Sequence, residues 1–287
     1  MAQGCSSNCS FCITKLARPQ LWSRPAREII DTVQRAVKLG AVEIQLCSMD
    51  NADYFSPPNI RLPELVDMVV QNVEGNYMVR VGMMNPNGFE RFADRLTDTL
   101  YQSQVYKFLH VPVQSGSPTI VEDMNRHYDP YKVALRILSF KEKLPETVMA
   151  TDLMVGYPTE DEEAFERTIK LVESGAFDKI HFFRFTPRPH TPAAKMRQLP
   201  EHVKKDRVMR LSQAVRRVQL RKHSEYVGKR ASALVTYQIE GLRLEARLSN
   251  YLKVVLRYSP RKLGRRVSVE ITGCTPEHLT GVILEDK

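Results

Sequence analysis

The chain has 287 residues, 43% of them hydrophobic and 26% charged, with a formal net charge of +9. That length buries one large core with room for a small second domain, no apolar run is long enough to span a bilayer, and five cysteines are too sparse for a disulfide framework. The charge is uneven: residues 1–183 carry 19 basic and 24 acidic side chains, 184–230 carry 14 and 3, and 231–287 carry 9 and 6. A mildly acidic front and a strongly basic back are the electrostatic footprint of a nucleic-acid binder, with a solvated basic helix as the plain alternative. No targeting segment is read, so a reducing cytoplasm is expected.

Along the chain, the first feature is a cysteine loop: Cys5, Cys9 and Cys12 in the spacing C-x3-C-x2-C. Most iron–sulfur sites use four cysteines. Three on one loop suit a four-iron cluster whose last iron stays open to a ligand. Structural zinc would need a fourth donor, and Cys47 and His110 are distant in sequence. Next, 25–39 reads as a helix entered at Pro25, with Ile29, Ile30, Val33, Ala36 and Val37 on its apolar face and Gly40 beyond its end. Strands are expected at 42–47, 77–84, 106–113, 148–155 and 179–185, and helices at 62–73, 87–100, 117–124, 130–143 and 160–173, the last opened by a Thr159–Glu162 capping box. Five β/α units predict a parallel barrel or half-barrel. Reactive groups of such barrels lie at the C-terminal strand ends, which here carry Ser48, Asp50, Asn85, Gln114, Ser115, Asp152 and Arg184. A basic helix over 197–226 follows, then short alternating runs at 232–238, 242–248, 252–257, 266–272 and 279–284. Five short strands in so few residues predict a small closed β-barrel, a size often used on RNA. The domain division is thus 1–196, 197–226 and 227–287.

Taken in order, 4–18, 80–86, 108–117, 151–158 and 184–196 resemble the radical-SAM tRNA methylthiotransferases, and the tail from about Val227 is similar to that family's TRAM domain. The resemblance is strongest to the archaeal and eukaryotic branch that acts on threonylcarbamoyladenosine beside the anticodon. It implies an α/β fold, a partial (β/α) radical-SAM barrel followed by a small all-β TRAM-like barrel. It implies a [4Fe-4S] cluster on Cys5, Cys9 and Cys12, with S-adenosylmethionine (SAM) on the open iron. Gln114, Ser115 and Asp152 would position SAM, with Ser48 and Arg184 near the same pocket. One SAM would yield the adenosyl radical that takes a hydrogen from the adenine ring, and a second would supply the methyl group. The implied partners are a tRNA anticodon stem-loop and an electron donor such as a flavodoxin or ferredoxin. The basic helix and barrel would grip phosphates. Tyr237, Tyr251 and Tyr258 would stack on bases or serve as barrel core.

The sequence also departs from the family. Members carry an N-terminal domain whose three further cysteines bind an auxiliary cluster that handles the inserted sulfur. Here Met1 lies four residues before Cys5. That domain and the first barrel strand are therefore expected to be missing, and a longer native chain or a separate auxiliary-cluster subunit would supply them. Met49 stands where relatives often have Gln, and His190 where Gly is usual. Two other readings stay open: a single-cluster SAM-cleaving enzyme with another reaction, and a non-catalytic RNA-binding protein with a metal loop.

Overall fold

The computed structural model describes residues 1–239, 243–259 and 262–284. A short antiparallel pair, β1 (Ala2–Gln3) and β2 (Trp22–Ser23), brackets the cysteine loop and a single helical turn, α1 (Thr14–Ala17). The β/α series follows as α2 (Ala26–Lys38), β3 (Glu43–Leu46), α3 (Leu62–Asn72), β4 (Met78–Val81), α4 (Pro86–Tyr101) and β5 (Phe108–His110). It continues as α5 (Pro118–Asp123), α6 (Pro130–Lys143), β6 (Val148–Val155), α7 (Glu162–Glu173), β7 (Lys179–Arg184) and α8 (Glu201–Ser224). All five expected core strands form, each shorter than or equal to its apolar run.

Strand pairing is parallel and follows chain order. β3 pairs with β4, and β5, β6 and β7 form a second sheet. A bridge between Val79 and Val105, and a hydrogen bond from Met84 N to His110 O (3.0 Å), join the two. Side chains alternate across a strand. On β6, Met149, Leu153 and Val155 therefore enter the core under the helices, while Asp152 and Met154 face inward and stay half-open.

Two boundaries differ from expectation. α7 is capped by Asp161, whose Oδ1 accepts from Ala164 N at 2.8 Å. Thr159 is not part of a capping box; its hydroxyl donates to Asp123 Oδ2 instead (2.5 Å). α8 starts only at Glu201, because Pro200 occupies its cap and a proline biases the residue before it away from helix.

The tail forms a closed five-stranded barrel of β8 (Arg230–Ile239), β9 (Arg243–Leu248), β10 (Lys253–Arg257), β11 (Arg266–Cys274) and β12 (Leu279–Ile283), in the order β10-β12-β11-β8-β9. Leu242, the expected start of β9, and residues 285–287 lie outside the described residues. This barrel is not a free appendage. One buried apolar cluster runs from its interior into Met78, Tyr106, Phe108, Val148 and Ala150, on the α/β domain near the N-terminal ends of the strands. Tyr251 is the anchor. Its ring lies 4.8 Å from that of Tyr106 and 5.1 Å from that of Phe108, and the guanidinium groups of Arg80 and Arg247 sit over it at 5.0 and 4.6 Å. Its hydroxyl donates to Glu43 Oε1 (3.3 Å). Of the three tail tyrosines, Tyr251 is thus an interface residue, while Tyr237 and Tyr258 are exposed. Tyr251→Ala is expected to cost about 3 kcal/mol, at the low end for an aromatic truncation, read as a lower denaturation midpoint. Tyr251→Phe should cost under ~1 kcal/mol, and equal losses in the two variants would contradict the packing role.

Candidate functional site

The cysteine loop is held at both ends. Gly4 has φ +81°, and a Cβ there would sit 2.1 Å from Gln20 O, so a side chain is excluded. Ser6 donates through both its N and its hydroxyl to Asp53 (2.6 Å each), and Lys15 Nζ donates to Cys5 O (2.5 Å). At the far end Ser10 N donates to Met124 O (3.0 Å), and the Ser10 hydroxyl meets the Tyr157 hydroxyl at 2.8 Å. The 3₁₀ turn Asn51–Asp53 after β3, α5, and the loop after β6 thus fix the loop together.

Cys5, Cys9 and Cys12 are all free thiols, partly buried, and line one cavity of about 210 Å³. Its other walls come from the C-terminal ends of successive strands: Met49 and Asp50 after β3, Met83 to Asn85 after β4, Pro112 and Gln114 after β5, and Asp152 on β6. Burial pushes the Cys5 thiol up, and Asp53 and Asp50 add to the effect. Burial likewise raises Cys9, against the pull of Arg126, whose Nη1 lies 4.0 Å from the sulfur. Three thiols converging on a cavity beside Arg126 and Lys15 suit a cluster with three protein-held irons, since bound metal turns such thiols into thiolates.

Asp50 also lies close to Cys5 together with Asp53, a set within reach of a single ion. Both carboxylates already have partners. Asp50 accepts from Ala52 N (3.0 Å), Asn85 N (3.2 Å) and Asn85 Nδ2 (2.5 Å), and burial raises its pKa. Asn85 in turn caps α4 by accepting from Gly88 N (2.6 Å). This chain of bonds ties the turn after β3 to the start of α4.

The structure separates the five expected SAM-contacting residues. Gln114 and Asp152 reach the cavity. Gln114 has φ +64° while its backbone remains bridged to β6, donating to Asp152 O (2.8 Å) and accepting from Met154 N (2.7 Å). Asp152 Oδ1 meets His110 Nε2 at 2.9 Å. Ser115 is fully buried behind the wall, accepting from Ser117 N (3.1 Å) beside Thr168. The adjoining Gly116 packs on α7 so closely that a Cβ would lie 2.4 Å from Arg167 O. Ser48 donates to Asn51 Oδ1 (2.5 Å) and Arg184 pairs with Glu201 (2.9 Å); neither lines the cavity. Arg126 had no sequence signal, and Met83 was hidden in an apolar run. Cys47 is exposed after β3, and Cys274 ends β11, so neither joins the loop.

The basic tract is also reorganised. Arg207, Arg210 and Arg217 of α8 pair with Glu160, Glu162, Glu166 and Glu173, in or beside α7, and Arg216 pairs with Glu277. Much of the charge run is therefore spent inside the fold. Among the described residues, no helix is long and apolar enough to cross a membrane.

Residues 1–172 match the model of the radical SAM superfamily. A protein of Archaeoglobus fulgidus, described as a probable threonylcarbamoyladenosine tRNA methylthiotransferase, is 36% identical over 288 residues, covering 100% of this chain and 67% of its own. The Homo sapiens threonylcarbamoyladenosine tRNA methylthiotransferase is 35% identical, over 93% of this chain and 46% of its own. The fold is similar to that of coproporphyrinogen III oxidase from Escherichia coli, a radical SAM enzyme (TM-score 0.54, 15% identity, 88% of this chain and 64% of that one). The chain spans about two thirds of the length of the archaeal relatives and about half that of the animal ones. It belongs to the radical SAM superfamily and, within it, to the threonylcarbamoyladenosine tRNA methylthiotransferase family.

Proposed function

We propose that this chain carries the SAM-cleaving core of an enzyme that methylthiolates threonylcarbamoyladenosine in tRNA, with Cys5, Cys9 and Cys12 as the ligands of the [4Fe-4S] cluster. The observation that carries the reading is the meeting of three free thiols with Gln114 and Asp152 in one cavity at the strand ends. When held by Cys5, Cys9 and Cys12, the cluster would supply one electron to SAM, which would split into methionine and a 5′-deoxyadenosyl radical that becomes 5′-deoxyadenosine by taking a hydrogen atom from the substrate. The protein's own part is placement. Asp152, oriented by His110, and Gln114, turned by its left-handed backbone, offer polar atoms to the amino, carboxylate and ribose groups of SAM. Met49, Met83 and Met84 give the cavity an apolar wall that excludes water. Ser115 and Ser48 act as positioning residues through their loops, and Arg184 does so through α8. The reducing partner is of the flavodoxin or ferredoxin type, the setting is cytoplasmic, and sulfur insertion falls to an auxiliary-cluster unit.

Anaerobic reconstitution with iron and sulfide tests this core. About four irons per chain are expected, with 5′-deoxyadenosine released on adding reductant and SAM. One zinc and no iron would favour the metal-loop RNA binder. Deoxyadenosine without any methylthiolated tRNA, even when the auxiliary-cluster unit is added, would favour a SAM-cleaving enzyme with another reaction.

A further inference from the structure

Below the cysteine cavity, the inner wall carries cations that the fold does not neutralise. Lys179 and His181 on β7 pair in register with Ala150 and Asp152 of β6. They share a face, and Lys179 lies two residues, roughly 7 Å, toward the N-terminal end from the level of Asp152. His110 links the levels, with its ring 5.8 Å from that of His181 and its Nε2 2.9 Å from Asp152. Lys179 and His181 also line a cleft of about 440 Å³ between β7, α8 and the small barrel, which contributes Lys253. Among the described residues, the side chains of Lys179 and Lys253 make no hydrogen bond or ion pair. Arg80, on β4, keeps a buried Nε without a partner. Burial lowers the Lys179 ammonium to about 8, and Arg247, Lys253 and Arg80 add to the fall, with Glu245 opposing. The carboxylates nearby are already engaged, Glu245 by Arg247 and Glu43 by the Tyr106 and Tyr251 hydroxyls; leaving the half-buried Lys179 and Lys253 without one is costly, and an anionic ligand offsets that cost.

We propose that Lys179, with Lys253 lining the same cleft, receives the free carboxylate on the threonylcarbamoyl arm of the substrate adenosine. This inference rests on the function proposed above. The arm leaves the adenine ring at N6 and ends in a carboxylate, so a ring held near the cysteine cavity can direct that anion down the wall. Plain adenosine brings no anion, and the site then discriminates by leaving its cations unpaired. A backbone phosphate offers similar oxyanion chemistry but is present in both RNAs, which makes the two sources separable.

The test measures binding of the iron-loaded protein to three anticodon stem-loops. These carry threonylcarbamoyladenosine, its methyl ester, or adenosine at the target position. The free acid is expected to bind about 10-fold or more tightly than either other RNA. Lys179→Met should erase that preference while leaving binding of the adenosine RNA unchanged, and Lys179→Arg should restore part of it. A wild-type protein that binds all three equally overturns the assignment, as does a Lys179→Met protein that keeps the preference. Equal weakening toward all three RNAs points to a phosphate and overturns it too. Thermal melts confirm that each variant is folded. Loss of methylthiolation on every RNA with the auxiliary-cluster unit present would instead count against the proposed function.

Discussion

Cys9→Ala is expected to abolish the four-iron complement and to reduce 5′-deoxyadenosine release from SAM to background. Cys5→Ala and Cys12→Ala should do the same, because three thiolates leave no spare ligand. The cavity offers no ready substitute. Asp50 and Asp53, which lie near Cys5, are engaged by the Ala52, Asn85 and Ser6 donors. Cys47→Ala and Cys274→Ala should retain full iron and activity, since one is exposed beyond β3 and the other ends a tail strand. Arg126→Met makes a finer comparison. Its guanidinium lies 4.0 Å from the Cys9 sulfur and donates to Pro112 O (3.1 Å). Outer partners of this kind are typically worth about 10- to 100-fold in metal affinity or activity. Iron content by chelation and the reduced-cluster EPR spectrum would read both effects. A Cys9→Ala protein with a full cluster would remove the loop from the site.

Arg207→Met is expected to lower stability by about 3–5 kcal/mol, the usual cost of stranding one member of a buried ion pair. Glu160 has no exposed side-chain surface and Arg207 very little. Arg207 Nη1 donates to both Glu160 O and Glu160 Oε2 at 2.8 Å, and Gly156 N donates to Glu160 Oε2 at 2.6 Å. Burial pushes the Glu160 carboxyl up to about 7, with Gly156 and Arg207 pulling it down. A carboxyl raised in the folded state binds its proton more tightly there than in the unfolded chain, so its contribution to stability falls as pH rises from the unfolded value toward the folded one. Removing Arg207 raises the folded value further. The loss should therefore be smaller near pH 5.5 than near pH 8, read from urea midpoints at each pH. A loss independent of pH would mean that removing Arg207 leaves the Glu160 carboxyl titrating where it does in the wild type. The pair also matters to the site, because it braces the loop bearing Tyr157, whose hydroxyl meets Ser10 of the cysteine loop.

The local features of this fold were readable from sequence. The five core strands and their helices follow from apolar periodicity, and the cysteine spacing alone pointed to the cavity. Features that depend on distant partners were not. Thr159 fits a capping pattern, yet Asp161 is a better cap at the adjacent register and Thr159 finds Asp123. The basic run at 184–230 looked free because a charge count ignores the glutamates of α7 that lie against it. Of the five residues expected at SAM, Gln114 and Asp152 line the cavity, whereas Ser48, Ser115 and Arg184 sit at strand ends with local partners that use their polar atoms. The seat of Tyr251 could not be read at all, since its partners Tyr106 and Phe108 are more than a hundred residues away.

That seat limits how the protein can be divided. A domain boundary near Gly228 invites truncation there, on the view that an RNA-binding tail is an optional module. Such a cut would open Met78, Tyr106, Phe108, Val148 and Ala150 to water along one face, where the barrel interior now covers them. A contiguous apolar surface of that kind promotes association between copies. The tail is therefore the floor of the α/β domain, and the shorter piece should precipitate rather than work as a minimal catalyst.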